Sequence, residues 1–316
     1  QMKKSLIALA VMVASGAALA QSSVTLYGVA DAGIGKIESG SGGKSPANDA
    51  SNKTEFLSAS KMNNGDSRLG VRGVEDLGGG LKAGFTFETG LDLDNGAATS
   101  SAFWSRGANL WLGCGWGRFT MGREYTTSYD AGRAWELTGA ANYSVISNTY
   151  GWAGAGSRNN SQFKYTSPNF GGFSAMIGYM LKADNGDRAK WDLGLKYANG
   201  PIGVGLGVNK VKDGKTNYAL GGKYNFGSFA LAASYNQTSS GSLRRRGYSL
   251  GGQAKFNAFT VTLDLTRDSK NEIGGKKFTN GVLEGKYALS KRTFMYAAYL
   301  RHDGNNNYGL GVRHNF

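Results

Sequence analysis

In the stretch Phe229-Ala230-Leu231-Ala232-Ala233-Ser234-Tyr235-Asn236, the large side chains Phe229, Leu231 and Tyr235 fall on one parity, and Ala230, Ala232, Ser234 and Asn236 on the other. Successive side chains of an extended chain point to opposite faces, so this period of two describes a strand with one apolar and one polar face. The pattern returns on both sides. Tyr248, Leu250 and Phe256 oppose Gln253 and Lys255. Val261, Leu263 and Leu265 oppose Thr260, Thr262, Asp264 and Thr266, and Trp191, Leu193, Leu195 and Tyr197 oppose Lys190, Asp192 and Lys196. Counted this way, the chain holds about sixteen strands. They cover residues 22–36, 66–75, 80–91, 103–113, 116–124, 159–167, 172–182, 189–198, 202–211, 216–225, 228–237, 246–256, 259–268, 278–288, 292–301 and 306–316.

The connections alternate too. Residues 75–80, 113–115, 168–172, 199–201 and 225–227 are tight and turn-rich, whereas 37–65, 92–102, 124–158 and 239–245 are longer and polar. Short turns on one rim and long loops on the other are the plan of an outer-membrane barrel. A soluble sandwich is the rival, but its core cannot bury a face rich in Gly, Ser, Thr, Asn, Lys and Arg without unpaired charges. A water-filled lumen accepts that face, and sixteen strands enclose an aqueous channel. Tyr197, Tyr224, Tyr235, Phe256, Tyr287, Phe294 and Tyr296 fall near predicted strand ends, where interfacial girdles are expected. The predicted fold is all-β: a 16-stranded antiparallel transmembrane β-barrel spanning residues 21–316.

Composition narrows the function. The 316 residues include one Cys, which excludes an intramolecular disulfide, and two His, which leave little for a metal cluster. Neither a metal nor a cofactor is expected. Gly at 50 residues is about twice average usage, and 12% aromatics argue for an ordered chain. Lys3 and Lys4 precede an apolar run from Leu6 to Val13, and Ala18-Leu19-Ala20 closes it. That is the pattern of a secretory signal peptide over residues 1–20, cleaved between Ala20 and Gln21. An export signal without a long apolar helix, joined to amphipathic strands, predicts the outer membrane of a Gram-negative bacterium. An enzyme is disfavoured, because the histidines are His302 and His314 and no constellation forms around them; His302 and Asp303, as strand neighbours, are expected on opposite faces. Nucleic-acid binding is disfavoured as well, because the lysines alternate with apolar residues around a cylinder instead of sharing one exposed face.

Some segments carry a closer likeness. Ser23-Val24-Thr25-Leu26-Tyr27-Gly28, Ser67-Arg68-Leu69-Gly70-Val71-Arg72-Gly73 followed by Glu75-Asp76-Leu77-Gly78-Gly79-Gly80, Arg118-Phe119-Thr120-Met121-Gly122-Arg123 and a closing Phe316 together resemble the Gram-negative general-diffusion porins. The β-proteobacterial branch, some members of which are strongly anion-selective, is the most similar. The resemblance implies a homotrimer, a third long loop folded inward to narrow each pore, and Phe316 as the assembly signal. Residues 124–158 occupy the third-loop position, with a short helical turn possible over Asp130 to Leu137; the Pro-Glu-Phe-Gly-Gly-Asp tip of enterobacterial porins is absent.

The resemblance also implies a cluster of wall arginines facing that loop. Arg68, Arg106 and Arg158 match it by local motif, with Arg133 from the loop as a fourth candidate and Asp130 and Glu136 as loop counter-charges. Guanidinium stays charged at any working pH and presents a fork of donors to an anion. Two unit charges 4 Å apart interact by ~1 kcal/mol in bulk water and ~4 kcal/mol at an effective dielectric of 20, so a narrow throat of arginines favours anions. By parity Lys82, Lys164, Lys190, Lys196, Lys223, Lys255, Arg301 and Arg313 extend the basic lining, while Asp31, Glu88, Asp192, Asp264 and Glu284 point inward to pair with those lysines across strands. Leu110 and Leu112 share parity with Arg106 and are expected under the inward loop. The run Arg244-Arg245-Arg246 is expected in an outer loop, touching lipopolysaccharide phosphate or solvent. The predicted function is passive, anion-preferring diffusion of small hydrophilic solutes and ions; the alternative is a substrate-specific phosphate or organic-acid channel of the same fold.

Overall fold

The computed structural model describes residues 23–38 and 52–316. The leader expected over residues 1–20, with its cleavage site at Ala20 and Gln21, lies outside them. The strands are β1 (Ser23–Lys36), β2 (Thr54–Ser58), β3 (Ser67–Gly78), β4 (Leu81–Leu91), β5 (Gly107–Cys114), β6 (Gly117–Tyr125), β7 (Arg158–Thr166), β8 (Phe173–Met180), β9 (Lys190–Asn199), β10 (Ile202–Val211), β11 (Asn217–Asn225), β12 (Phe229–Ser240), β13 (Leu243–Phe256), β14 (Phe259–Asn271), β15 (Thr279–Ala288), β16 (Thr293–His302) and β17 (Asn305–Asn315). From β3 to β17 each strand pairs antiparallel with the next, and β1 closes the ring by pairing with β3 and with β17. That makes sixteen barrel strands. The short β2 is additional: it takes the Ala32–Lys36 part of one edge of β1, while β3 takes Ser23–Val29.

Closure leaves no open barrel edge, which is what lets a sheet stand in hydrocarbon. At the seam, the Phe316 N–H donates to Gly28 O at 3.1 Å and the Gly28 N–H to Phe316 O at 3.0 Å. The outward parity is strongly apolar. Leu250, Leu220 and Leu263 are 66%, 51% and 48% exposed, far beyond the scattered apolar residues of a soluble surface. Phe226 and Phe229 stack at 4.6 Å beside one short turn, and Phe259 meets Tyr287 at 4.6 Å near another, as an aromatic belt requires.

The main apolar core lies inside the barrel. Residues 126–157, the third long loop and called loop 3 below, fold inward and carry α1 (Thr127–Gly132) and α2 (Val145–Tyr150). Trp135, Tyr143, Val145 and Tyr150 of this loop are buried together with Ile37 and Met62 and with Val282, Tyr296 and Leu300 of the wall. Burial of each large apolar side chain stabilises by about 1.5–3 kcal/mol. Glycine makes room for it. A Cβ on Gly205 would lie 2.3 Å from Ala131 O, and one on Gly221 would lie 2.5 Å from the Trp135 ring. Thr126 caps α1 by accepting from the Tyr129 N–H at 3.1 Å, so this helix starts earlier than the turn expected over 130–137.

Several expectations need correction. The fourth strand begins at Gly107, not 103, because Phe103 and Trp104 stack edge to face in the preceding loop at 4.7 Å. Leu110 and Leu112 face outward, 52% and 40% exposed, and do not pack under loop 3. The expected loop over 239–245 is a turn at residues 241–242, so Arg244, Arg245 and Arg246 lie in β13. Arg245 is buried there, in a bidentate pair with Asp268 and a second with Asp303.

The face of β16 is the reverse of the one expected. Phe294 and Tyr296 pack into the interior core and are not girdle residues, because residues 59–66, the end of the first long loop and called loop 1 below, and loop 3 cover that stretch of wall. Arg301, on the parity of the exposed Met295 and Tyr299, therefore points outward. His302 and Asp303 do approach, at 3.8 Å, since Asp303 leaves the strand at a φ of 50°. The inward acids hold loops more than they pair with lysines. Asp192 accepts from the Thr127 N–H and the Ser128 hydroxyl at 2.8 and 2.7 Å, and Glu284 accepts from the Tyr143 hydroxyl at 2.6 Å, although Lys286 also reaches Glu284 at 2.9 Å.

Candidate functional site

Glu88 of β4 sits on an inward position of the wall, opposite Gly70 of β3 and Gly107 of β5. Neither glycine has a side chain, so long neighbours converge on its carboxylate. Arg106 Nε binds Glu88 Oε1 at 2.8 Å, Arg68 Nε approaches Oε2 at 3.7 Å, Arg158 Nη2 approaches Oε1 at 3.9 Å, and the Tyr27 hydroxyl donates to Oε2 at 3.0 Å. The structure thus brings Arg68, Arg106 and Arg158 together around one carboxylate. Their chain positions explain the geometry. Arg68 alternates with the outward Leu69, Arg158 is the first residue after loop 3, and Arg106 lies one residue upstream of β5, where strand parity has not yet begun.

The three arginines are not equivalent. Arg106 also grips Asp66 through Nη1 at 2.5 Å and keeps 10% of its side chain exposed, against 21% for Arg68. Burial disfavours its charge, but Asp66 and Glu88 outweigh that and hold the guanidinium above its ordinary basicity. Arg106 is therefore a strut tying three parts of the wall. Arg68, whose other side-chain bond among the described residues is to Asp66 O at 3.3 Å, is more open to the lumen. Arg158 donates to the Tyr125 hydroxyl at 2.7 Å and to Arg106 O at 2.5 Å, with its guanidinium 4.2 Å from the Tyr125 ring centre.

Two more arginines join that were not expected here. Arg313 of β17 donates to Asn64 Oδ1 at 3.0 Å, beside Gly65, whose absent Cβ would meet the Arg313 guanidinium and face that of Arg68. Arg123 of β6 donates to Ser105 O and Asn160 Oδ1. The signal for Arg313 was its inward parity, but only ring closure puts β17 beside β1 and β3. Five guanidinium groups thus occupy one sector of the wall, where Glu88 and Asp66 are the carboxylates in ion pairs with them.

The loop candidates lie elsewhere. Arg133 stands over the Tyr129 ring at 5.9 Å and lines a cavity of about 860 Å³ toward the short-turn rim, with Lys164, Lys196 and Lys223. Asp130 pairs with Lys164 at 2.5 Å. Glu136 turns back into its own loop, accepting from the Thr138 hydroxyl at 2.5 Å and the Ala140 N–H at 2.6 Å. Neither acid contacts the arginine cluster. Tyr129 stacks on Tyr125 at 4.6 Å, and burial pushes its hydroxyl up to about 12, so it stays neutral in the aromatic column beside Arg158. Lys190 donates to Asn159 Oδ1 at 2.6 Å, Lys82 shares the inward parity of Glu88, and Lys255 shares that of Gln253. Among the described residues, no group of His, Cys, Asp and Glu is arranged to hold a metal ion.

Comparisons with known proteins agree with this architecture. The Gram-negative porin family matches residues 6–307. Outer membrane porin protein 32 of Delftia acidovorans is 32% identical over 99% of this chain and 93% of its own. A solved structure described as the anion-selective porin from Comamonas acidovorans superposes with a TM-score of 0.76 at 26% identity, covering 94% of this chain and all of that one. The in-vitro-folded OmpT of Vibrio cholerae, described in its trimer form, superposes with a TM-score of 0.67 at 16% identity, covering 93% of this chain and 99% of that chain.

Proposed function

This chain belongs to the Gram-negative porin family, whose members are channels of the outer membrane, and from that premise we propose that its pore prefers anions. The observation that carries the reading is the excess of guanidinium over carboxylate in one sector of the bore: Arg68, Arg106, Arg123, Arg158 and Arg313 against Glu88, Asp66 and Asp31, the last directly across from Arg313. Rings of fixed charge set selectivity when an ion must shed water to pass. At ~1–4 kcal/mol per pair near 4 Å, several uncompensated guanidinium groups enrich chloride, phosphate and organic acids and exclude cations. Glu88 and Asp66 offset part of that charge, so no anion is held long enough to block flow.

In this reading, three copies assemble in the outer membrane, surrounded by lipid and lipopolysaccharide, after a leader at residues 1–20 has exported the chain. Phe316 marks it for assembly. Transport is passive diffusion of small hydrophilic solutes, and Arg133 with Lys196 and Lys223 funnels anions at the short-turn side. The decisive measurement is the reversal potential of the purified trimer in a planar bilayer under a KCl gradient. The expected sign is that of chloride; the potassium sign would end the anion reading while leaving the barrel intact.

A further inference from the structure

A charge on the lipid-facing side of a barrel is costly at the midplane and tolerated near the interface. Arg267 of β14 and Arg301 of β16 are both exposed on that side, near the long-loop rim, with β15 between them. Arg301 pairs across the sheet with Gly281, which leaves a recess, and Arg267 donates to Thr279 Oγ1 at 2.8 Å. Lys276 and Lys277 of the loop before β15 complete a cleft of about 680 Å³ whose lower wall includes the apolar Leu265 and Leu283. No Asp or Glu lines it, and among the described residues none of the four cations forms an ion pair.

We propose that this cleft binds a phosphorylated lipid of the outer leaflet, with phosphate between Arg267 and Arg301 and an acyl chain lying along Leu265 and Leu283. Its two-part chemistry makes the case: cations at the headgroup level directly above an apolar strip match an anionic amphiphile. A soluble anion would have no use for the strip, and a neutral lipid no use for four cations. The inference rests on the outer-membrane placement of the barrel and is independent of the anion preference of its pore.

The test is native mass spectrometry of the detergent-purified trimer incubated with diphosphorylated lipid A, and in parallel with its dephosphorylated form. The expected result is retention of lipid A, about 10- to 30-fold weaker in the Arg267→Gln/Arg301→Gln variant at ~1 kcal/mol per cation, and equally weak for the dephosphorylated lipid on the parent protein. Unchanged heat-modifiable gel mobility verifies that the variant is folded, and Arg267→Lys/Arg301→Lys should recover most of the retention. Equal retention by parent and Gln variant, or of both lipids, overturns the proposal. So does a Gln variant that falls to monomers while retaining lipid, which would make this face a subunit contact. The reversal potential of the Gln variant should equal that of the parent, so the lipid proposal and the anion reading fail on separate measurements.

Discussion

Arg106 and Glu88 are joined at 2.8 Å while the same guanidinium holds Asp66 at 2.5 Å, so one side chain ties β4 to the end of loop 1. Removing it would leave two carboxylates facing each other in a mostly buried site. Breaking such a pair from one side costs about 3–5 kcal/mol. Arg106→Ala should therefore lower the heat-unfolding midpoint of the purified protein, followed by gel mobility, well before any change in ion preference is considered. A midpoint equal to the parent's would remove Arg106 from the role of strut.

Arg68 should behave in the opposite way. It is the more exposed arginine and its contact with Glu88 is longer, 3.7 Å. Arg68→Ala is expected to leave the unfolding midpoint within the small range of surface substitutions and to reduce the chloride-to-potassium permeability ratio about fivefold, the effect of ~1 kcal/mol. The reversal potential in a KCl gradient measures this directly, and an unaltered value would show that Arg68 is structural.

Trp135 lies against Gly221, where a Cβ would come within 2.5 Å of its ring. Gly221→Leu should lift loop 3 off the wall and into the bore. Overpacking of this kind typically costs about 1–3 kcal/mol. Single-channel conductance is expected to fall with ion preference unchanged; a conductance at or above the parent's would contradict the placement.

The Arg245 clamp makes the loop sensitive to acid. Asp303 accepts from Arg245 at 2.5 and 2.7 Å and from Asn280, which also donates to Thr149 of α2 at 3.0 Å. Burial works against its charge, but the hydrogen bonds from Arg245, together with the electrostatic pull of His302 and Arg245, hold its carboxyl below the ordinary range. A depressed carboxylate contributes stability that is full above its unfolded value, about 3.9, and is lost as pH falls through the lower folded value. Current noise from loop 3 should thus stay flat from neutral pH down to about 4 and rise only below that. Noise rising instead near neutral pH would assign the loop's anchoring to another group.

Much of the barrel was legible because its physics is local. Alternation in segments such as 189–198 and 259–268 reports an apolar face toward lipid and a polar face toward the interior, which stays polar even where loop 3 covers it because Asp192 and Thr266 hydrogen-bond that loop. The pattern failed where the interior is not wet. On β16 the inward Tyr296 and Leu300 are apolar because loops 1 and 3 cover them, so parity chose the wrong face and Arg301 was placed inside. The grouping of Arg68, Arg106 and Arg158 was carried by family motif, since Arg106 precedes its strand. Arg313 was legible as inward but not as their neighbour, because that adjacency arises only when the last strand meets the first.

Gly205 and Gly221 give loop 3 a ledge to rest on, built from missing side chains, in a sector different from the one that carries the arginines. Calibre and charge are consequently written in separate alphabets. A single exchange of hydrogen for methyl on the ledge can tighten the passage without touching a guanidinium, and the loss of a guanidinium can alter which ions enter without altering how large they are. Selection acting on one trait leaves the other free, which lets a bacterium retune its permeability one residue at a time.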